Sequence, residues 1–254
     1  MPTLTSAAHP LIALAAACHE RKGREAHGLL LVEGRRALDA VMAAGWQPAH
    51  LFHPADAPPP PTWSAGRAQA VDGRARARLS AQRTASGWAG LFPLPASPPR
   101  PGGGMVLVGV HDPGNVGTLI RAADAFAWPQ VVLVGGADPW APKAVQASAG
   151  AIAALPVARV DAGIAPSALI DAPAAALVVR GGRPPEGLRC PWLVVGGEAD
   201  GLDAAWRAAC TEAVTLPMPG GTESLNAAMA GAIAAYVLGD AGAARSPGRG
   251  AGAR

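Results

Sequence analysis

Three short stretches of the chain combine polar residues in a way that could support chemistry. In the first, residues 113–126, Asn115 and Arg121 stand six positions apart. Six residues turn a straight helix by about 240°, so the two side chains can serve one site only if Asn115 lies at the helix cap. The alternative interpretation is structural, with Asn115 as an N-cap and Arg121 as a solvated helix residue.

The second stretch runs from Gly196 to Gly201 and carries Glu198 directly after an apolar segment. Two glycines at the end of a strand allow a ligand to approach the backbone closely. The stretch lacks the G-x-G-x-x-G pattern and no P-loop lysine is present, which argues against a nucleotide-phosphate site. Glu198 is therefore either a functional carboxylate or part of a turn.

The third stretch leads from Leu216 through a Pro/Gly loop to Ser224 and Asn226, where a final helix is expected to begin. The N-terminus of a helix with such residues presents hydrogen-bond donors to a bound group. The alternative is a capping segment, in which Thr222 or Ser224 is the N-cap and Asn226 is a polar residue of the turn.

The pattern around these stretches predicts a parallel α/β sheet that is covered on both faces. Near-continuous apolar runs alternate with helical periodicity, and in such sheets the ligand crevice lies beyond the carboxyl ends of the strands. Strands are predicted at 105–110, 131–134, 176–179, 192–195 and 214–216. Helices are predicted at 115–126, 143–151, 203–209 and 224–238.

A smaller α/β pattern precedes this region. It predicts helices at 10–22, 34–44 and 74–82 and strands at 29–32, 49–52 and 88–94. The Pro/Gly-rich stretch 95–104 is predicted to be a linker that is semi-rigid in its proline part and flexible in its glycine part. The predicted domains are 1–95 and 105–240, with 96–104 as linker and 241–254 as a flexible basic tail.

Composition indicates a globular protein, because 50% of the residues are hydrophobic and only 15% are charged. The net charge of +3 is unevenly distributed: residues 1–100 carry 11 basic and 6 acidic side chains, and residues 101–254 carry 10 and 12. A basic N-terminal part suggests contact with a polyanion. The basic residues expected to bind phosphates include Arg21, Lys22, Arg24, Arg35 and Arg36.

Several classes of protein are not indicated. No apolar run reaches the about 18 residues of a membrane-spanning helix, and no signal peptide is expected. The three cysteines form no C-x-x-C pair, which argues against a disulfide framework or a zinc site. We therefore expect no metal, no membrane and a reducing, cytoplasmic location.

Taken together and in order, the three stretches resemble the SpoU-type branch of the SPOUT RNA methyltransferases. Residues 113–126 look like the first motif of that family, 195–202 like the second, and 216–218 with 224–226 like the third. Residues 143–152 and 155–157 look like a continuation of the first motif. The basic stretch 21–36 resembles, less specifically, an L30e-like substrate-binding domain.

The resemblance implies an α/β fold: a C-terminal parallel-sheet domain with a trefoil knot, preceded by the small L30e-like α/β domain. It implies a homodimer through the knotted domain and the cofactor S-adenosylmethionine. The residues expected to hold the cofactor are Gly196, Leu216, Leu225, Met218 and Val179. Those expected at the reaction site are Arg121, Asn115, Glu198, Ser224 and Asn226.

The implied reaction transfers a methyl group to a ribose 2′-hydroxyl. Arg121 would stabilise the alkoxide as it forms, and would accept the proton only secondarily, because a guanidinium has a very high pKa. Asn115, Ser224 and Asn226 would orient the ribose and Arg121, and Glu198 would fix the loop or Arg121. The sequence departs from the family pattern at 199–200 and 227–228 and at Trp128, none of which removes a side chain that the chemistry needs.

The expected substrate is structured RNA, with ribosomal RNA favoured over tRNA because a separate L30e-like domain is indicated. Three alternatives stay open: methylation of tRNA at a 2′-hydroxyl, methylation of a base nitrogen, and a non-catalytic RNA-binding homologue. The residues do not separate a resistance enzyme from a housekeeping enzyme.

Overall fold

The computed structural model describes residues 2–61, 63, 68–81, 84–198 and 200–242. By its contacts the chain divides into two compact units. The first unit comprises Met1–Ala96 and Asp138–Ala154, and the second comprises Ser97–Ala137 and Leu155–Arg254. The segment Asp138–Ala154 thus groups with the N-terminal part, whereas the sequence placed it in the domain 105–240. The predicted tail 241–254 lies, from residue 243 on, outside the described residues.

The first unit is built on a four-stranded mixed sheet in the order β1-β4-β2-β3. Strand β4 pairs antiparallel with β1 and β2, and β3 pairs parallel with β2. The strands are β1 Leu29–Glu33, β2 His50–Pro54, β3 Ala68–Val71 and β4 Ala89–Pro93. The helices are α1 Pro10–Ala17, α2 Arg21–His27, α3 Arg35–Ala43, α4 Gly73–Arg78 and, from the later segment, α6 Pro142–Ser148.

The second unit holds a six-stranded sheet in the order β10-β8-β9-β5-β6-β7, in which every pair is parallel. This confirms the predicted parallel α/β sheet. The strands are β5 Gly104–Val108, β6 Val131–Val134, β7 Val157–Val160, β8 Ala174–Leu177, β9 Trp192–Gly196 and β10 Glu212–Val214. The helices are α5 Pro113–Ala125, α7 Ala204–Ala209 and α8 Ala227–Gly242. Central strand β9 is buried from Trp192 to Val195, as expected for a strand with both faces covered.

Several elements differ from the sequence-based prediction. The helix expected at 10–22 is two helices, α1 and α2, because the chain turns at residues 18–20. Strands β3 and β7 were not predicted, since both have only four residues and each is interrupted by one polar residue, Gln69 or Arg159. Strand β10 lies two residues earlier than predicted, and α8 begins at Ala227 rather than Ser224.

The end of the linker is fixed to the second unit rather than flexible. The side chain of Gln130, 2% exposed, accepts a hydrogen bond from the amide of Arg100 and donates to the carbonyls of Arg100 and Gly103. The carboxylate of Asp171 accepts from the amide of Gly102 at 3.0 Å. The expectation of a flexible glycine part was therefore wrong for this segment.

The three cysteines are free thiols. Burial raises the pKa of Cys18 and of Cys190, and burial together with the neighbouring Cys190 raises the pKa of Cys210 to about 11. These thiols are therefore protonated at neutral pH, which makes them poor nucleophiles.

Candidate active site

The second stretch forms a tight turn at the carboxyl end of β9. The amide of Gly201 donates to the carbonyl of Gly197 at 3.1 Å. A Cβ on Gly196 would lie 2.4 Å from the backbone of Gly201, and one on Gly197 would lie 2.2 Å from the carbonyl oxygen of Gly109. The neighbouring backbone therefore requires both glycines, which is a more direct reason than the ligand approach inferred from sequence.

A series of hydrogen bonds joins the three polar stretches at this edge of the sheet. The Nδ2 group of Asn115 donates to Glu198 Oε1, and the Nδ2 group of Asn226 donates to Asn115 Oδ1 at 3.2 Å. Glu198, Asn115 and Asn226 come from the loop after β9, from α5 and from the start of α8. Below we call these three residues the amide–carboxylate series.

Asn226 is the cap of the last helix. Its Oδ1 atom accepts from the amides of Ala228 at 2.9 Å and Met229 at 3.2 Å, as an N-cap side chain does. The alternative interpretation, in which Thr222 or Ser224 caps this helix, was therefore wrong. Because Oδ1 accepts from the backbone amides of α8, the orientation of the side chain is fixed. Its Nδ2 group therefore points toward Asn115 and donates to it.

Asn115 is not a cap. Asp112 caps α5, accepting from the amide of Gly114 at 2.9 Å, and Asn115 follows inside the first turn. Arg121 lies six residues further on, on a different face of the helix. It is exposed and has no hydrogen bond or ion pair with the described part of the chain. The structure thus assembles Asn115, Glu198 and Asn226, and it does not bring Arg121 into contact with them.

A cavity of about 410 Å³ lies beside the series. All five residues predicted to hold the cofactor line it, as do Glu198, Ser224 and Asn226. Val195, Gly197 and Gly201, which belong to the segment that resembles the second motif, line it too. The residues that the sequence did not indicate are Leu177, Val178, Ala227 and Ala230. They lie at a strand end and at the start of α8, so only the fold could identify them.

Small residues let α8 pack closely against α5 and β9. A Cβ on Gly231 would lie 2.5 Å from Leu119 Cδ2. Trp128, which departs from the family pattern, is 4% exposed and donates through Nε1 to the carbonyl of Ala235 at 3.1 Å. This departure is therefore accommodated by a contact that stabilises α8. The departure at Ala199 lies outside the described residues.

The five basic residues that were predicted to bind phosphates differ in their exposure to solvent: four reach the surface and one is buried. Arg21, Lys22 and Arg36 are exposed and Arg35 is partly exposed, although Arg21 pairs with Glu25 and Arg35 pairs with Asp39. Arg24 is 3% exposed. Its guanidinium donates to two backbone carbonyls and to Asp138 Oδ2 at 2.5 Å, so it is not available to a phosphate. Its predicted role in RNA binding was wrong.

None of the helices in the described residues is long and apolar enough to cross a membrane. No group of three or more His, Cys, Asp or Glu side chains among these residues is arranged to hold a metal ion.

Comparison with known proteins gives consistent results. Residues 104–236, more than half of the chain, match the model of the SpoU rRNA Methylase family. A 23S rRNA (uridine(2479)-2′-O)-methyltransferase of Streptomyces viridochromogenes is 35% identical over 139 residues, which cover 49% of this chain and 47% of that protein. The chain therefore matches about half the length of that relative.

Solved structures match over nearly the whole chain. A crystal structure of an RNA 2′-O ribose methyltransferase has a TM-score of 0.78 and 27% identity, covering 93% of this chain and 98% of its own. The SpoU methyltransferase AviRb from Streptomyces viridochromogenes, in complex with AdoMet, has a TM-score of 0.77 and 24% identity, covering 91% and 97%. At that identity the second likeness concerns the fold alone.

Proposed function

Because the chain belongs to the SpoU rRNA Methylase family, we propose that it transfers a methyl group from S-adenosylmethionine to a ribose 2′-hydroxyl of ribosomal RNA. The observation that carries this proposal is the amide–carboxylate series beside the cavity of the second unit. It unites one side chain from each polar stretch at the sheet edge where α/β folds bind ligands.

The cavity suits the proposed cofactor. Its volume falls within the roughly 300–1,000 Å³ that is usual for small-molecule sites. Aliphatic side chains such as Leu177, Val195 and Leu216 suit an adenine ring, and Glu198 supplies a negative charge for a sulfonium cation. In the proposed assignment Gly196, Leu216, Leu225, Met218 and Val179 hold the cofactor.

The cofactor supplies an electrophilic methyl group, and the residues of the chain position the nucleophile and handle charge. Asn115, Ser224 and Asn226 orient the ribose, and Glu198 holds Asn115 through its hydrogen bond. Arg121 stabilises the developing alkoxide, with proton acceptance as its secondary role. The role of Arg121 rests on the family resemblance of its stretch, since its side chain is exposed and makes no contact with the series.

Ribosomal RNA is the proposed substrate because the named relative acts on 23S rRNA. Exposed Lys22 and Arg36, with Arg21 and Arg35, are proposed to contact phosphates in the first unit. We also propose that the first unit has an L30e-like fold, that the second unit contains a trefoil knot, and that the protein is cytoplasmic. A tRNA 2′-hydroxyl is the second candidate substrate, and a non-catalytic RNA-binding role is the third candidate.

A homodimer is proposed through α8. Met229, Ile233 and Tyr236 are 54%, 41% and 65% exposed, and their spacing places them along one side of this helix. An exposed apolar stripe of this kind is typical of an interface. Ile233→Arg would place a charge in it, and light scattering would then detect a monomer where the unaltered chain is a dimer.

Two measurements test the proposed activity. Calorimetry is expected to detect binding of S-adenosylmethionine, and Ala230→Phe, which fills the cavity from α8, is expected to abolish it. Ala232→Phe, at a half-buried position outside the lining, is the matched control. Mapping of 2′-O-methylation across total RNA, with and without the gene, is expected to lose one ribosomal RNA site. A lost site in tRNA, or on a base nitrogen, would favour an alternative.

A further inference from the structure

A second cavity, of about 540 Å³, lies wholly within the first unit and has no part in the proposed methyl transfer. Four separate segments build it: the loop between α1 and α2, strand β1, the segment after α4 with Ala81, and helix α6 with the residue before it. Leu31 and Val145 give it apolar surface, and His19, Glu33, Lys143 and Gln146 give it polar surface. Below we call it the β1–α6 cavity.

His19 is the group in this cavity that its surroundings do not explain. Both ring nitrogens are inaccessible to solvent, and neither has a hydrogen-bond partner in the described part of the chain. The Oε1 atom of Glu33 lies 3.8 Å from His19 Nδ1, beyond hydrogen-bonding distance. Imidazole always carries at least one N–H donor, so an unpartnered ring costs stability, and a ligand in the cavity would relieve this cost only if the ring turned toward it.

The cavity wall is held in place by a buried ion pair. Arg24 donates to the carbonyls of Cys18 at 2.9 Å and His19 at 2.7 Å, and also to Asp138 Oδ2 at 2.5 Å. The other oxygen of Asp138 accepts from the amide of Trp140 at 3.0 Å. Arg24 therefore fixes the loop that carries His19 to the segment that leads into α6, which preorganises the site.

Glu33 is held in the same way from the other side. Its Oε2 accepts from Ser80 Oγ at 2.5 Å and its Oε1 from the amide of Ala81 at 2.9 Å. Each carboxylate oxygen has a second lone pair, so Glu33 can still accept from a ligand. The polar side of the cavity is thus rigid and keeps acceptor capacity.

The charge and the hydrogen-bonding groups of the lining limit which class of ligand can bind in the cavity. Glu20 and Glu33 outnumber Lys143 among the lining side chains, which disfavours a phosphate or another anion. The described residues include no cluster suited to a metal ion. Apolar surface combined with donors and acceptors suits a flat heteroaromatic ring, and proteins read single RNA bases in this way once they are unstacked. Exposed Arg21 and Lys22 follow the loop directly and can contact the adjoining phosphates.

We propose that the β1–α6 cavity binds one unstacked nucleobase of the substrate RNA, with guanine preferred. A carboxylate can accept from the two adjacent N–H groups of guanine, and the other bases offer no such pair beside each other. This inference rests on the proposed RNA-modifying function.

The test observes His19 itself. The full chain is labelled with ¹⁵N-histidine and titrated with the four nucleoside monophosphates, and the ring nitrogens of His19 are identified by their loss in His19→Phe. GMP is expected to shift them, with an apparent affinity about tenfold above those for AMP, CMP and UMP, the effect of one or two hydrogen bonds. Failure of every nucleotide to shift these signals, or no preference among them, contradicts the proposal.

Two variants separate binding from folding. Ala141→Phe, which fills the cavity, is expected to abolish the GMP-induced shift, and His27→Phe, at an exposed position of α2, is expected to leave it unchanged. His19→Phe keeps the ring shape and removes the unpartnered nitrogens, so its unfolding midpoint is expected at or above that of the unaltered chain. A lower midpoint would mean that the nitrogens already have a partner, and it would overturn the proposal.

Failure of base binding in the β1–α6 cavity can be distinguished from failure of the proposed methyl transfer. Nucleotide binding at His19 needs no methyl transfer, and methyl transfer is measured on the same preparation with ribosomal RNA. A chain that binds GMP at His19 and transfers no methyl group refutes the proposed activity alone. A chain that methylates RNA without nucleotide binding at His19 refutes only the role of the β1–α6 cavity.

Discussion

The two cavities differ in how their polar side chains are satisfied. In the second unit, Glu198, Asn115 and Asn226 hydrogen-bond to one another before any ligand binds. In the first unit, the ring of His19 has no hydrogen-bond partner in the described chain, although Arg24 holds its backbone carbonyl. Under the proposed function the first arrangement positions groups for a reaction, whereas the unpartnered ring in the second supports the proposed binding of a nucleobase.

The largest expected effect concerns the ion pair that shapes the β1–α6 cavity. Arg24→Ala leaves Asp138 without its buried partner, which typically costs about 3–5 kcal/mol of unfolding free energy. Arg21→Ala removes an exposed pair with Glu25 and is expected to cost roughly 0–1 kcal/mol. Chemical denaturation measures both. Equal losses would mean that the buried pair does not support this region.

Methyl transfer is the next largest effect. Arg121→Ala is expected to lower the rate by about 10²–10³-fold, the usual loss when one group that stabilises developing charge is removed. Binding of S-adenosylmethionine is expected to stay unchanged, because Arg121 does not line the cavity. Arg159→Ala, an exposed arginine on β7, is the control. A normal rate in Arg121→Ala would remove this residue from the mechanism.

A smaller effect is expected at Asn226, where two substitutions separate its role as the cap of α8 from its hydrogen bond to Asn115. Asn226→Ala loses the helix cap and is expected to cost about 1 kcal/mol of stability together with activity. Asn226→Asp retains an oxygen for the amides of Ala228 and Met229, but it loses the donor to Asn115. We therefore expect normal stability and reduced methyl transfer in Asn226→Asp. If both variants lost only stability, the hydrogen bond to Asn115 would have no part in the reaction.

The smallest expected effect is a pH dependence of stability, which arises from the raised pKa values of the cysteines in the two units. The charge of Arg24 opposes the rise in the pKa of Cys18, whereas Cys190 adds to the rise for Cys210. Since the folded state favours protonated Cys210, its contribution to stability is complete below pH 9.0 and is lost as the pH rises through about 11. Unfolding midpoints measured across this range should fall less in Cys210→Ser, and an equal fall would contradict the assignment.

Most elements of both units were predicted from the sequence, and the residues around the cavity of the second unit were predicted better than those around the cavity of the first. Strand β6 was predicted at its observed bounds, and the alternation of apolar runs and helices predicted the parallel sheet. The five predicted cofactor residues line one cavity because each lies near a strand end or the start of a helix, where parallel sheets bind ligands. Their role in cofactor binding stays a prediction.

What the sequence missed depends on contacts between distant segments. Arg24 looks like any other residue of a basic stretch, and only the fold shows that Asp138, 114 positions away, buries it. The β1–α6 cavity has no motif, because His19, Glu33 and Gln146 come from three segments. Asn226 as the cap of α8 was missed because Thr222 and Ser224 are equally good capping residues by type.

The proposed activity of the second unit is methylation of a ribose hydroxyl of ribosomal RNA. The most direct measurement incubates the purified chain with ribosomal RNA and, separately, with tRNA, each with isotopically labelled S-adenosylmethionine, and then identifies the labelled nucleoside by mass spectrometry. We predict one 2′-O-methylated nucleoside in ribosomal RNA, and a strong decrease of this product with Asn115→Ala. Label on a base, label in tRNA alone, or no label with a chain that is folded would contradict this activity.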